Sequence, residues 1–166
     1  WYTMKGILLA GGRGTRLYPV TRAVSKHLLP IYDKPMFYYP LCTLMQAGIR
    51  DILFITNKSD IPLFQSLMGD GSAFGLRLQY AVQPFALGIA DALRVARKFI
   101  GKERVALILG DNLFLASSPR ARFSSLLAQA AEADDAVLFT SPVAKPEAYG
   151  VAEVDRHFPV ISLEAT

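Results

Sequence analysis

A glycine-rich turn near the N-terminus is the feature of this sequence best suited to chemistry. Residues 6–10 form a short apolar run, and a turn with three glycines, two arginines and a threonine follows it directly. Glycine lets the backbone adopt positive φ angles and approach a ligand without a Cβ in the way. The N–H groups of such a turn bind phosphate oxygens, and arginine adds charge and forked donors. The predicted polyphosphate site consists of Gly11, Gly12, Arg13, Gly14, Thr15 and Arg16.

The turn differs from two well-known phosphate-binding loops. No Gly-Lys-Ser/Thr sequence follows it, so it is not a P-loop. Leu17 occupies the place of the third glycine in the dinucleotide-binding fingerprint, which excludes that motif as well. Glycine turns after strands are also common where nothing binds. The turn alone therefore leaves that plainer interpretation open.

Three further residues could complete a site of this kind. Asp111 follows an apolar run, where its carboxylate could hold a magnesium ion. Gln83 follows another such run, and a side-chain amide both donates and accepts, as recognition of a pyrimidine edge requires. Lys26 could neutralise the charge of a phosphate group. The two histidines, His27 and His157, are assigned no role, because neither has a serine or cysteine partner in a recognisable motif. The ordinary alternatives are a turn residue for the aspartate, an exposed loop amide for the glutamine and a solvated surface lysine.

Alternating apolar and amphipathic segments must position these residues, and they predict a three-layer α/β fold with a mostly parallel sheet. The predicted strands, apolar on both faces as in buried parallel sheets, are Lys5–Ala10, Asp51–Thr56, Arg77–Val82, Arg104–Leu109 and Ala136–Ser141. The predicted helices are Pro35–Ala47, Ile61–Met68, Gly88–Ile100 and Pro119–Ala133. Ligands of such sheets bind beyond the carboxyl ends of the strands. We therefore expect Gly11 and Asp111 at the same edge.

Helical spacing also predicts which helix faces are buried. In the third predicted helix, the residues expected to face the sheet are Ile89, Ala92, Leu93, Ala96, Phe99 and Ile100. In the fourth, Ser118 is expected to cap the helix before Pro119. The buried stripe of that fourth helix is predicted to be Phe123, Leu126, Leu127 and Ala130.

Length and composition limit the class of protein. A chain of 166 residues is long enough for one domain with a sizeable core, and 52% apolar against 19% charged residues predicts a folded chain. Glycine, proline or charged residues interrupt every apolar run short of a membrane span, and the first residues lack a signal-peptide pattern. We therefore expect no membrane association. The single cysteine, Cys42, allows no internal disulfide and favours a reducing cytoplasm.

The positive charge of the chain is unevenly distributed. The net charge of +4 comes from 18 basic and 14 acidic residues, and residues 13–26 contain four basic residues with no acid among them. Such a distribution suits an anionic small molecule. A nucleic acid is not expected as a partner, because the sequence has no basic run, no interleaved aromatic pattern and no recognisable reader motif.

The motifs around these residues resemble those of the sugar-1-phosphate nucleotidyltransferases. The pattern of that family is a Gly-Gly-x-Gly-Thr-Arg-Leu-x-Pro-x-Thr loop followed by Ser-Lys-x-Leu-Leu-Pro, and residues 11–21 and 25–30 match both. Further matches, in the same order along nearly the whole chain, are residues 69–72, 83–84, 110–112 and 149–151. The resemblance implies a Rossmann-like fold of the nucleotide-diphospho-sugar transferase type, in a single nucleotidyltransferase domain over residues 1–166.

The resemblance also implies a reaction and a set of roles. It is closest to the thymidylyl-transferring members, so we expect dTTP and glucose-1-phosphate as substrates, Mg²⁺ as cofactor, and a product for dTDP-sugar and polysaccharide biosynthesis. Arg16, with Arg13, would hold the triphosphate, and Lys26 would lie over the α-phosphate, which makes Arg16 and Lys26 the implied catalytic residues. The remaining implied roles are base contact for Gln83 and Gly88, metal binding for Asp111, and sugar contact for Gly150 and Glu164. Members of the family form homo-oligomers.

The sequence departs from the family pattern in three places, one of which is Leu115-Ala116, where the family usually has Tyr-Gly. Where the family usually has Pro-Asp-Gly-Leu-Ala-Gln-Ala, residues 86–92 read Ala-Leu-Gly-Ile-Ala-Asp-Ala. The loss of an acid at position 87 and of an amide at position 91 weakens the choice of base. After Glu164 the family continues with Glu-Lys-Pro, whereas this chain reads Ala-Thr. We therefore expect the C-terminal part, which carries further sugar-binding and oligomer contacts, to be missing.

Three functions stay open at this level. The first is thymidylyl transfer, with uridylyl transfer by the same family as its variant. The second is a truncated relative that binds a nucleoside triphosphate without turnover. The third is a generic α/β nucleotide-binding domain whose ligand differs.

Overall fold

The computed structural model describes residues 4–12, 14–85, 88–114, 123–133, 135–144, 150–154 and 160–164. The chain divides into two compact units, residues 1–132 and 133–166. The strands of the first unit are β1 (Met4–Ala10), β2 (Pro30–Ile31), β3 (Lys34–Pro35), β4 (Asp51–Thr56), β5 (Arg77–Val82) and β6 (Arg104–Leu109). Its helices are α1 (Tyr38–Gln46), α2 (Ile61–Met68), α3 (Gly88–Val95), α4 (Arg97–Ile100) and α5 (Phe123–Ala130). The second unit contains β7 (Val151–Val154) and β8 (Val160–Glu164). Across these described ranges, every helix is too short or too polar to cross a membrane.

Four parallel strands form the central sheet of the first unit, in the order β5–β4–β1–β6. At the end of β1, Ala10 is opposite Thr56 of β4, and Leu9 is opposite Leu109 of β6. Parallel neighbours need crossover connections, which α1, α2 and the α3–α4 pair provide. The predicted Rossmann-like α/β fold is confirmed, and these four strands lie at or beside their predicted bounds.

Helices cover both faces of this sheet because its central strands are apolar on both sides. Successive side chains of a strand point to opposite faces. Leu8 and Phe54 are fully buried in the cluster that includes α1 and α2, whereas Ile7 and Ile55 are fully buried in the cluster that includes α3 and α4. The predicted three-layer arrangement follows from this division of the core.

The third predicted helix divides into α3 and α4 at Ala96, and its buried face differs from the prediction. Ala92 and Ala96 are fully buried as predicted, but Ile89 and Leu93 are 49% and 39% exposed. The reason is Asp91, which is buried and hydrogen-bonded to the loop after β5. Burial of this polar residue turns the inward face of α3 towards positions 91 and 92, so the two larger apolar side chains lie outside.

The last two predicted elements agree less well with the structure. In α5, Leu127 is buried as predicted, but Leu126 is 50% exposed, and Ser118 and Pro119 lie outside the described residues. Residues 136–141, predicted as a strand, form none, and Val137 and Leu138 are 47% and 50% exposed. An apolar run becomes a strand only where a neighbouring strand supplies hydrogen bonds. The described part of the second unit pairs only β7 with β8.

Candidate active site

The carboxyl ends of the four parallel strands meet at one edge of the sheet. Gly11 follows β1, Gln83 follows β5 and Gly110 follows β6. Backbone bonds continue beyond the strands: Gly110 N–H donates to the Leu9 carbonyl at 2.8 Å, and Gln83 N–H donates to the Thr56 carbonyl at 3.0 Å. The glycine turn and the segment after β6 therefore share this edge, as the sequence predicts.

Contacts within the chain shape the glycine turn. Gly12 and Gly14 have φ angles of 95° and 60°, a left-handed conformation that favours glycine. Gly14 immediately precedes a 3₁₀ turn, Thr15–Leu17, and its carbonyl accepts hydrogen bonds from Leu17 N–H at 2.9 Å and from Thr21 Oγ1 at 2.6 Å. The turn therefore holds its form through its own backbone and one threonine.

The described basic residue of this turn is open to solvent. Arg16 lies within the 3₁₀ turn, is exposed, and forms no ion pair with any residue that the structure describes. Thr15 beside it is exposed as well. Arg13 lies outside the described residues. A guanidinium with these properties can bind an anion from solution through its forked donors.

An ion pair joins the segment after the turn to the segment after β6. Lys26 belongs to the 3₁₀ turn Lys26–Leu28, and its Nζ donates to Asp111 Oδ2 at 2.5 Å. The two side chains are 24% and 36% exposed, so the pair borders solvent. Burial by itself raises the pKa of Asp111, but the hydrogen bond and the charge of Lys26 outweigh it and hold that pKa below its ordinary value of 3.8. Asp111 is therefore an ionised carboxylate at neutral pH.

His27 packs behind this pair. Its side chain is 1% exposed, Nδ1 lies 3.2 Å from Ser25 Oγ, and a Cβ added to Gly110 would lie 2.8 Å from its Cδ2. Burial, with a further contribution from the Lys26 charge, lowers the pKa of His27 from 6.5 to about 4. The ring is neutral at pH 7 and acts as a packing element between the lysine turn and the end of β6.

Gln83 and Asp91 form a buried polar pair. The Gln83 amide nitrogen donates to the Gly88 carbonyl at 3.1 Å and to Asp91 Oδ2 at 2.9 Å. Arg94 donates to the other oxygen of Asp91, Oδ1, from Nε at 3.0 Å and from Nη2 at 2.8 Å. The hydrogen bond from Gln83, followed by the one from Arg94, lowers the pKa of Asp91, so this carboxylate is ionised.

The side chain of Gln83 lies directly beside Gly11 of the glycine turn. A Cβ added to Gly11 would lie 3.6 Å from Gln83 Oε1 and 3.9 Å from Leu9 Cδ1. Gln83 itself is 5% exposed. Its Oε1 accepts no hydrogen bond from the part of the chain that the structure describes. An unused acceptor therefore faces the turn.

The edge thus combines a glycine turn, an exposed arginine, a lysine–aspartate pair and an oriented amide, and comparison with known proteins agrees with that combination. A protein-family model described as "Nucleotidyl transferase" matches residues 5–164. The chain belongs to the nucleotidyl transferase family.

Two relatives of this nucleotidyl transferase show how much of such a protein it spans. The glucose-1-phosphate thymidylyltransferase of Neisseria gonorrhoeae is 57% identical over 162 residues, which cover 97% of this chain and 55% of that protein. The enzyme of the same name from Mycobacterium tuberculosis strain H37Rv is 49% identical over 165 residues, covering 97% of this chain and 54% of that protein. The chain spans about half the length of the relatives it matches.

Solved structures agree on the fold of the nucleotidyl transferase. A crystal structure of a Bacillus anthracis protein assigned as a glucose-1-phosphate thymidylyltransferase, in complex with a sucrose, superposes with a TM-score of 0.85 at 39% identity, covering 98% of this chain and 64% of that one. UDP-glucose pyrophosphorylase complexed with UDP-glucose superposes with a TM-score of 0.80 at 21% identity, covering 99% of this chain and 69% of that one. The second likeness shows a shared fold.

The two residues predicted to contact a sugar lie in the second unit of the nucleotidyl transferase. Val151 at the start of β7 pairs with Glu164 at the end of β8, and Gly150 precedes Val151 directly. Gly150 and Glu164 therefore lie at the same end of this antiparallel pair. Gly150 is exposed.

Asp91 is the residue of this site that sequence reasoning missed. In the comparison with the family pattern, Asp91 was interpreted only as the loss of the family's glutamine. The structure shows that its carboxylate accepts a 2.9 Å hydrogen bond from the Gln83 amide. The available signal was an acidic residue in the first turn of a helix, eight positions after Gln83. Such residues are common at helix N-termini, where they interact with the helix dipole, so this signal alone does not indicate a side-chain pair.

Proposed function

We propose that this chain transfers a thymidylyl group from dTTP to glucose-1-phosphate, which gives dTDP-glucose and pyrophosphate. The observation that carries the proposal is the Lys26–Asp111 pair at 2.5 Å, which lies at the same sheet edge as the glycine turn. The relatives that are named for this reaction, at 57% and 49% identity, support the choice of substrates. A lysine beside an ionised carboxylate suits a reaction in which charge on phosphate must be neutralised.

The reaction is an in-line displacement at the α-phosphorus of dTTP. A phosphate oxygen of glucose-1-phosphate forms a bond to that phosphorus, and the bond to the bridging oxygen breaks, so pyrophosphate leaves with the electron pair. The attacking oxygen is already ionised, and no general base is needed. Positioning of the two phosphates and neutralisation of their charge are therefore what the protein must supply.

The residues of the edge divide this task. The backbone N–H groups of the glycine turn bind the triphosphate, and Arg16 neutralises the charge that develops on the leaving pyrophosphate. Arg13 is proposed for the same role. Lys26 exchanges part of its interaction with Asp111 for the α-phosphate and stabilises the transition state as a point charge.

Asp111 fits one ligand position of a Mg²⁺ ion. It is an ionised oxygen donor, it borders solvent, and Mg²⁺ in nucleotide sites commonly uses one or two carboxylates with substrate phosphates and waters. Within the described ranges, no group of three or more His, Cys, Asp or Glu residues could hold a metal alone. When bound, the ion would screen the phosphate charge so that two anions can approach each other.

Recognition of the base and recognition of the sugar are assigned to two separate groups of residues. Gln83 presents its Oε1 towards the turn, which suits contact with the thymine edge, with Gly88 beside it. Gly150 and Glu164 are proposed for the sugar because they share one end of the β7–β8 pair. The single cysteine is consistent with a reaction in the reducing cytoplasm.

The test measures pyrophosphate release and dTTP binding on the same sample of the 166-residue chain. The proposal expects release only when dTTP, glucose-1-phosphate and magnesium are all present, and loss of release when any one is omitted. Calorimetric binding of dTTP without release would favour the alternative of a nucleotide-binding relative without turnover. Absence of both binding and release would contradict the proposal. Release with UTP in place of dTTP, at equal or higher rate, would favour the uridylyl variant.

A further inference from the structure

The orientation of the Gln83 side chain is fixed by the chemistry of its partners. One face of the amide contacts two groups, the Gly88 carbonyl at 3.1 Å and Asp91 Oδ2 at 2.9 Å. A carbonyl oxygen and an ionised carboxylate can only accept hydrogen bonds. The amide must therefore turn its NH₂ group towards them, and the opposite orientation would bring its oxygen against two acceptors.

The carboxylate of Asp91 is itself held in place by hydrogen bonds. Its Oδ1 accepts two hydrogen bonds from Arg94, at 2.8 Å and 3.0 Å, so Oδ2 remains for Gln83. The Asp91 side chain is 8% exposed, whereas the Arg94 side chain is 77% exposed. The pair therefore places a permanent acceptor behind Gln83, inside the protein, with its counter-charge at the surface.

The Gln83 Oε1 is left as the group that a ligand meets. It faces Gly11, where a Cβ would lie 3.6 Å away, and it accepts no hydrogen bond from the described residues. A ligand bound along the glycine turn would therefore find an acceptor at this position and no donor from the Gln83 side chain.

We propose that Asp91 is a positioning residue that selects the base of the nucleotide by holding Gln83 so that only its oxygen faces the ligand. A base with an N–H at that edge, such as thymine or uracil, donates to this oxygen, whereas cytosine presents an acceptor nitrogen there and is rejected. The inference rests on the proposed function, because it assumes that this edge binds a nucleoside triphosphate. The family pattern described above has glutamine at position 91, and an amide there could either donate or accept. The carboxylate of this chain removes that ambiguity, so the departure at position 91 strengthens the choice of base.

A fixed Gln83 oxygen distinguishes some pyrimidine bases and not others. Thymine and uracil both carry the N–H, so Gln83 does not distinguish dTTP from dUTP. Cytosine differs at the contacted nitrogen, and a site built for a donor rejects a ligand that brings an acceptor, because two lone pairs then face each other. The wild-type chain should therefore bind dTTP and dUTP with similar Kd and dCTP much more weakly.

Calorimetric titration of dTTP, dUTP and dCTP in the presence of Mg²⁺ tests this on three variants. Asp91→Asn places an amide whose oxygen stays with Arg94 and whose NH₂ faces Gln83, so a rotated Gln83 gains a donor partner for its oxygen. Asp91→Ala removes the charged one of the two acceptors that orient Gln83 and leaves only the Gly88 carbonyl. In both, the ratio of the dCTP Kd to the dTTP Kd should fall about tenfold, the contribution of about one hydrogen bond. Asp135→Asn is the matched control, because it makes the same chemical change at an exposed aspartate that takes no part in the Gln83–Asp91–Arg94 contacts, so the ratio should stay near that of the wild type.

The ratio of the dCTP Kd to the dTTP Kd serves as an internal standard. Partial unfolding of a sample would weaken the apparent binding of both nucleotides equally, so a merely structural role of Asp91 would leave the ratio unchanged. A wild-type chain that binds dTTP and dCTP equally would overturn the inference. So would Asp91→Asn and Asp91→Ala variants that keep the wild-type ratio, and in that case the proposed function would stand. A wild-type chain that binds none of the three nucleotides would overturn the proposed function and this inference with it.

Discussion

The ammonium group of Lys26 lies 2.5 Å from Oδ2 of Asp111, although the two residues are 85 positions apart in the sequence. The 3₁₀ turn Lys26–Leu28 brings the lysine to the edge of the sheet, and β6 brings the aspartate to the same point. The positive charge of Lys26 and the negative charge of Asp111 neutralise each other in the protein without substrate. A phosphate that binds Lys26 must therefore compete with Asp111, which makes the pair sensitive to both the nucleotide and its cation.

Replacement of Lys26 should remove turnover while leaving the fold intact. We expect Lys26→Gln to lower the rate of pyrophosphate release about 100-fold or more, since an electrostatic donor aimed at the transition state is lost. Lys102→Gln is the matched control, because Lys102 is exposed before β6, at the opposite end of the strands, and its charge change is the same. Equal rates for the two variants would contradict the role given to Lys26.

The stability of the protein should fall as the pH drops from 6.5 to about 4. Burial and the Lys26 charge lower the pKa of His27 from 6.5 to about 4, with Asp111 and Asp60 opposing, so in this window the unfolded chain binds a proton that the folded chain does not. The free energy of unfolding is then highest above pH 6.5 and loses about 3 kcal/mol by the lower end. Asp111 has a pKa below 3.8 and titrates outside the window.

Urea unfolding at intervals between pH 7 and pH 4.5 measures this effect. His27→Gln removes the titrating ring and should flatten the dependence in the same interval. A wild-type protein whose free energy of unfolding is constant over the interval, or a variant that keeps the wild-type slope, would show that His27 is not the group responsible.

Two glycines of the turn should respond differently to alanine. Gly11 has no positive φ, and an added Cβ would lie at an ordinary 3.6 Å from Gln83 Oε1, so the Gly11→Ala variant should fold normally. Its methyl group should cover Gln83 Oε1 and weaken dTTP binding about tenfold. Gly14 has a φ of 60°, and its Cβ would meet Thr21 Cγ2 at 3.0 Å, so Gly14→Ala should lower the free energy of unfolding by about 1–3 kcal/mol.

Thermal unfolding and dTTP calorimetry on both variants separate the two effects. The wild type is measured beside them as the reference for both quantities. The expected pattern is a wild-type melting temperature with weak binding for Gly11→Ala, and a lowered melting temperature for Gly14→Ala. The reverse pattern would mean that the turn is shaped by its ligand rather than by its own backbone.

Gly110 should tolerate no side chain while His27 is present. A Cβ there would lie 2.8 Å from the buried His27 ring, so Gly110→Ala should cost about 1–3 kcal/mol of unfolding free energy. In a His27→Ala background the same change should cost less, because the ring no longer occupies the space. Denaturant unfolding of the two single variants and the double variant measures this coupling, and strictly additive costs would contradict the packing described here.

The parallel strands could be predicted from the sequence because they are apolar on both faces. Asp51–Thr56 and Arg104–Leu109 read as short continuous apolar runs, as is typical of parallel strands buried between two helical layers. The parallel arrangement then placed Gly11 and Gly110 at one edge without any knowledge of side-chain contacts.

The pairs between distant side chains could not be predicted in the same way. The bond from Gln83 to Asp91 depends on where α3 begins and how it is rotated, and this bond itself sets the rotation that leaves Ile89 and Leu93 exposed. Helical periodicity assigns apolar residues to a common face but gives no weight to a buried carboxylate. The strand predicted at residues 136–141 failed for a related reason, since its pairing partner is not encoded in its own pattern.

The most direct test of the account is to follow the α-phosphate of labelled dTTP in the presence of glucose-1-phosphate, magnesium and this chain. If this chain transfers a thymidylyl group, the label appears in dTDP-glucose, in amounts equal to the pyrophosphate released, and it stays in dTTP when glucose-1-phosphate is omitted. Label found in dTMP, or label that stays in dTTP although calorimetry shows the nucleotide bound, would contradict thymidylyl transfer.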